Sequence, residues 1–197
     1  GLSKEEEKLY NTTLDVTGTG IMAYIEIPAI GCSLPIYHGT DEGVLQIAVG
    51  HLAGTALPIG GEGTHCVLSG HRGLPSAKLF TDIDQLTEGD QFLIRTLDEV
   101  LTYEVDKITI VEPAEVEALK PEKGKDYCTL VTCTPYGVNT HRLLVRGHRV
   151  ETRLKSQIRV TADAVQIETI IVAPIIAVPM ILILLFWLLI ATRKKKR

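Results

Sequence analysis

From Ile21 onward the apolar residues fall in short runs divided by turn residues, over positions 21–27, 33–36, 65–69, 91–96, 101–111, 128–132 and 141–150. Runs of this length, rich in Val, Ile and Thr and partly alternating with polar residues, predict β-strands. Gly60 with Gly61, Gly63, Gly89 with Asp90, and Pro135-Tyr136-Gly137 lie between the runs and supply turns. Positions 41–48, 78–86 and 113–119 suit short helices, the last with Pro113 in a first turn. A mainly β domain results, a barrel or sandwich with helical crossovers. Before it, Ser3 with Glu6 three residues later reads as a capping box, so residues 1–12 are expected to form a charged, exposed helical stub.

The pattern changes at the other end. Residues 170–192 carry no charge and are followed by Arg193, Lys194, Lys195, Lys196 and Arg197. A helix of that length rises roughly 35 Å, enough to cross a hydrocarbon core of about 30 Å. Pro174 and Pro179 predict a kink rather than an interruption, since membrane helices tolerate proline. The expected organisation is a stub over 1–20, the main β domain over 21–153, a polar juxtamembrane linker over 154–168, a transmembrane helix over 169–192 and a basic cytoplasmic tail over 193–197. Basic residues stay inside, so the main domain faces outward. An outward domain needs an export signal; none is visible after Gly1, and a trimmed N-terminus is expected.

Charge narrows the function. The chain of 197 residues has a net charge of −4, and without the five basic residues of the tail the remainder stands at −9. An acidic ectodomain disfavours nucleic acid as a partner. Four cysteines, Cys32, Cys66, Cys128 and Cys133, would permit disulfides outside the cell, but no Cys-x-x-Cys pair points to a redox or zinc site. No metal and no cofactor are expected.

One cysteine stands apart. The run ending Val131-Thr132-Cys133 stops at Thr134-Pro135-Tyr136-Gly137, which places Cys133 at a strand end beside a loop. A free thiol is only a few per cent ionised at neutral pH, so a nucleophilic cysteine needs a basic or cationic neighbour. Arg142 lies within reach across a hairpin, and a guanidinium can steady an oxyanion or hold a substrate. His71, between Gly70 and Arg72-Gly73 just after another strand, is suited to acid–base work. Each has a bland alternative: Cys133 as a small buried hydrophobe, His71 as a turn residue, Arg142 as a solvated edge cation. Alternation predicts that His141 points away if Arg142 faces the thiol, and that Cys128 lies on the face opposite Cys133. Cys32, Cys66 and Cys128 are read as structural thiols.

At these same residues the sequence resembles the sortase family. The family pattern TLxTC appears as Thr129-Leu130-Val131-Thr132-Cys133, Arg142 matches the family's arginine, and Leu68-Ser69-Gly70-His71-Arg72-Gly73 matches its histidine segment. Tyr24-Ile25-Glu26-Ile27-Pro28 and Leu34-Pro35-Ile36-Tyr37-His38-Gly39-Thr40 extend the likeness, which is similar to class C, the pilin-polymerising sortases with a C-terminal anchor. The resemblance implies an eight-stranded β-barrel with short helices, and a cysteine transpeptidase with Cys133, His71 and Arg142 as catalytic residues. It further implies an LPXTG-like sorting signal on secreted pilins as substrate, a pilin lysine as acceptor, and the Gram-positive cell surface as location. A housekeeping sortase, a non-catalytic membrane-tethered pilin-binding module and a plain cysteine protease are the alternatives. Class C members carry an upstream lid with an Asp-Pro-aromatic anchor. No such triplet precedes Ile21, and the expectation is that the lid was lost with the N-terminus.

Overall fold

The computed structural model describes residues 3–73 and 78–152. Gly1–Arg153 forms one compact unit. The expected membrane span, its linker and its basic tail lie outside the described residues. Among the described residues no helix is long and apolar enough to cross a membrane.

Eight strands close into a barrel: β1 (Ile21–Ile27), β2 (Cys32–His38), β3 (Val49–His51), β4 (Thr64–Ser69), β5 (Gln91–Thr96), β6 (Glu99–Val111), β7 (Asp126–Thr134) and β8 (His141–Val150). Around the barrel the order is β1-β2-β3-β4-β7-β8-β6-β5. Closure leaves no strand edge free to pair with another chain. Alternation sorts the side chains: Ile25, Ile27, Leu68, Phe92, Ile94, Tyr103, Leu130 and Val145 fill the interior, while Glu26 and Arg95 meet outside in a two-bond ion pair at 2.6 and 3.2 Å. Gly147 makes room for this packing, since a Cβ there would sit 2.7 Å from the ring of Phe92. Phe92 in turn stacks on Tyr103 with ring centroids 5.6 Å apart.

Two pairings are parallel, β2 with β3 and β4 with β7. The second is the important one, because the residues it joins are 62 positions apart, as in Cys66 opposite Cys128. Parallel neighbours require a crossover, supplied here by β5, β6 and the segment 112–125.

The helices are shorter than expected. Positions 41–48 give α2 over only Glu42–Leu45, closed by Ala48 donating to the Val44 carbonyl at 2.9 Å. Positions 78–86 give one tight turn at Ile83–Gln85, and 113–119 another at Glu117–Leu119. Both stretches are shorter than three helical turns, below the length at which propagation outweighs the cost of nucleating a helix. Strand β3 was not anticipated: it is three residues long and contains Gly50, where a Cβ would collide with the Gly39 carbonyl at 2.2 Å.

At the N-terminus α1 (Lys4–Thr12) carries the expected cap. Glu6 N donates to Ser3 Oγ at 3.3 Å, and Ser3 N donates to Glu6 Oε2 at 2.8 Å. It is not merely an exposed stub, however. Tyr10 reaches the barrel, accepting from Gly39 N at 2.9 Å and donating to the His51 carbonyl at 3.1 Å. His38 stands edge-on to its ring at 5.0 Å.

Candidate active site

Cys133 is the second-last residue of β7, and its partner across the antiparallel β7–β8 pair is Arg142. Directly paired residues share a face, so the thiol and the guanidinium stem rise on the same side of the sheet. That side is the outside. Cys128, Leu130 and Thr132 point into the barrel and are buried, whereas Val131 and Cys133 are half-buried on the outer face. The expected opposition of Cys128 and Cys133 is therefore observed, and His141 pairs with Thr134 on the other face from Arg142.

His71 arrives from the parallel side. Strand β4 ends at Ser69, opposite Val131. Two further bonds carry the alignment past the strand: Gly70 N donates to the Val131 carbonyl at 3.1 Å, and the buried Thr132 hydroxyl donates to the Gly70 carbonyl at 2.8 Å. His71 is thereby level with Cys133. Its own carbonyl accepts from Phe80 N at 3.1 Å, which holds the loop behind it. Gly70 is needed here, because a Cβ would lie 2.7 Å from the Phe80 ring.

The functional groups are held by partners that the sequence did not suggest. His71 Nε2 lies 3.5 Å from Glu42 Oε2, at the start of α2. Arg142 Nη1 donates to the carbonyls of Asn139 and His141 at 3.2 and 3.1 Å, so the β7–β8 loop orients the guanidinium. Thr132 was legible as an inward position within the alternating run, though its bond to Gly70 was not. Glu42 carried no signal at all.

The other three thiols are unsuited to attack. Burial, reinforced by Asp82, pushes Cys32 up to about 11. Cys66 and Cys128 face each other inside the barrel as neighbours across β4 and β7. Burial and the adjacent Cys66 drive Cys128 well above the ordinary thiol range. For Cys66 burial opposes ionisation, but Cys128 and His51 beside it win, leaving its thiol below the usual value. No substrate reaches it, because the residue is 2% exposed in the core. All four cysteines are free. Among the described residues no group of three or more His, Cys, Asp or Glu is gathered as a metal would require.

A cleft of about 380 Å³ opens on the same outer face, with Thr129 and Leu144 on its floor and Glu117, Lys120 and Glu122 along its wall. It does not include Cys133. Its floor is two rungs down β7, and Val131 is the outward residue between Thr129 and the thiol. The wall is pinned by His65, which bonds the Lys120 carbonyl through Nδ1 at 3.0 Å and Thr129 Oγ1 through Nε2 at 2.7 Å.

Three kinds of comparison meet on this geometry. A family model described as the sortase domain matches residues 25–150. Among curated proteins, sortase D of Bacillus subtilis is 33% identical over 129 residues, which cover 64% of this chain and 62% of that protein. Sortase A of Bacillus anthracis is 30% identical over 139 residues, covering 68% and 62%. The chain thus spans about 62% of the length of these two relatives. Among solved structures, sortase C1 from Streptococcus agalactiae shares 57% identity with a TM-score of 0.75, covering 77% of this chain and 78% of that one. Sortase C-1 from Actinomyces oris shares 50% with a TM-score of 0.73, covering 75% and 82%. With the barrel and the matched span of residues in agreement, this chain belongs to the sortase family.

Proposed function

We propose that the protein is a cysteine transpeptidase of class C type, which cleaves an LPXTG-like sorting signal on secreted pilins and joins it to a pilin lysine. The observation that carries this reading is the convergence of three strand ends: Cys133 paired with Arg142 across β7–β8, and His71 level with both on the parallel neighbour. The likeness to sortases C1 supports the class.

In the first half-reaction the Cys133 sulfur attacks the threonine carbonyl of the signal. As the C–S bond forms and the Thr–Gly C–N bond breaks, the departing amine takes a proton from His71. Arg142, its guanidinium fixed by the carbonyls of Asn139 and His141, meets the negative charge that develops on the carbonyl oxygen. In the second half-reaction a lysine amine attacks the thioester, gives a proton to His71 and releases the thiolate. Water is the competing acceptor. No step calls for a cofactor or metal. The uncharged stretch 170–192 with its basic end would anchor the enzyme in the membrane of a Gram-positive cell, with the barrel outside.

The test is to incubate the full chain in detergent micelles with a pilin carrying such a signal. A ladder of covalent multimers is expected, absent in Cys133→Ala. Transfer to a diglycine amine without a ladder would instead identify a housekeeping sortase, hydrolysis alone a protease, and binding without any covalent product a tethering module.

A further inference from the structure

Arg72 follows His71 directly, yet none of the steps above uses it. Its side chain is 11% exposed and forms an ion pair through Nη2 with Asp84. Its Cζ lies 5.7 Å from the centroid of the Tyr136 ring, and its Nε has no partner among the described residues. Tyr136 belongs to the loop that follows Cys133. The same ring rests against Gly73: a Cβ on Gly73 would come within 2.9 Å of Tyr136 Cε2, and its φ of +80° already favours glycine. Gly73 N is fixed by donating to Thr81 Oγ1 at 3.2 Å.

These contacts lie where backbone pairing stops. The β4–β7 ladder ends at Ser69 opposite Val131, with one more bond from Gly70. Beyond it the His71 loop and the Cys133 loop have no shared backbone bonds among the described residues, and side chains must set their spacing. A nearly buried guanidinium is costly without a counter-charge, which Asp84 provides. Its planar face is then free to lie against an aromatic ring within the roughly 6 Å over which the ring's quadrupole attracts a cation. A lysine would keep the charge but lose the planar fork.

We infer that Arg72 and Tyr136 form a positioning clamp that holds the His71 loop and the Cys133 loop at the separation acyl transfer requires. Arg72 touches no reacting atom. It acts through the two loops, where a displacement of about 1 Å can cost on the order of 100-fold in rate. The inference rests on the transpeptidase reading for its consequence in catalysis, but not for the clamp itself.

The experiment uses the full chain in micelles and compares wild type with Arg72→Leu, Arg72→Lys, Tyr136→Leu, Tyr136→Phe and the Arg72→Leu/Tyr136→Leu double variant. Peptide cleavage and backbone amide exchange in residues 136–139 are measured, with melting temperature as the folding control. Each leucine variant should lower kcat about 10-fold with KM within about 2-fold, and the double variant should be no slower than the slower single one. Arg72→Lys should resemble Arg72→Leu, and Tyr136→Phe should keep the wild-type rate to within about 2-fold. Amide exchange in the loop should quicken about 10-fold in Arg72→Leu. Losses that multiply to about 100-fold in the double variant, or loop exchange unchanged in a folded Arg72→Lys, would overturn the clamp. If wild type fails to cleave sorting peptides while the exchange effect is present, the clamp stands and the transpeptidase reading falls.

Discussion

Two cysteines on one strand, five residues apart, inhabit opposite environments. Cys128 lies within the strand, points inward, and faces Cys66 in a sealed interior where burial suppresses ionisation. Cys133 lies at the strand end, points outward, and faces an arginine across the hairpin. An odd separation on a two-residue period puts the pair on opposite faces, and the barrel's closure makes one face dry and the other reachable. The same residue type is therefore a sealed packing residue in one place and a half-buried thiol beside a cation in the other. The polar surroundings differ in the same way: Thr132, inward, is locked to the Gly70 carbonyl, while Arg142, outward, is turned by the carbonyls of Asn139 and His141.

The contrast can be broken most sharply at the nucleophile. Cys133→Ala should reduce transpeptidation and hydrolysis to background, read as loss of product by mass spectrometry, while Cys128→Ala and Cys66→Ala keep measurable turnover. Persistent activity in Cys133→Ala would assign the chemistry elsewhere. Next in size, Arg142→Lys should lower kcat/KM by roughly 100-fold with little change in melting temperature, since an ammonium cannot repeat the fork. On the interior side, Cys128→Ser places a hydroxyl in an apolar core and should cost about 1–3 kcal/mol in urea unfolding, with the rate per folded molecule unchanged. Thr132→Val joins the two regions: removing its bond to Gly70 should cost about 1 kcal/mol and also slow turnover, because that bond sets the level of His71. A variant that loses stability alone would show that the bond does not position the site.

The smallest effect concerns pH. Burial holds the pKa of His65 below its ordinary value of 6.5, so folding disfavours the charged imidazolium. The unfolded chain takes up the proton first. The stability it contributes is complete above about 6.5 and is lost as pH falls toward the lower folded value. The melting temperature of His65→Gln should accordingly fall less steeply between pH 7 and pH 5 than that of the wild type. An equal slope would show that His65 does not shape the acid limb.

Much of the barrel could be read from alternation. Residues 21–27, 91–96 and 141–150 form β1, β5 and β8 with the bounds their patterns indicated. These strands have one dry and one wet face, so each side chain's character reports its direction. The pattern was silent at β3, whose Gly50 and His51 are buried for reasons that lie in Gly39, Tyr10 and β4. It overestimated the short helices, which appear where expected but shrink to one turn each, because stretches this short gain too few helix hydrogen bonds to offset nucleation. The stub's docking through Tyr10 was likewise invisible, because its acceptors and donors are 29 to 41 residues away.

For the site, local spacing carried Cys133 and Arg142: a strand, a turn-rich loop and a returning strand confine them to neighbouring rungs, and periodicity settles which face each takes. Those are properties of a hairpin, in which partners are close along the chain. His71 is different, since its level with Cys133 depends on β4 lying parallel to β7 across 62 residues, and on the Thr132–Gly70 bond that extends the register. No pattern within either segment encodes that offset. Glu42 beside His71 and Tyr136 against Arg72 and Gly73 also depend on it. Short-range periodicity decides where a side chain points; only closure of the barrel decides what it meets there.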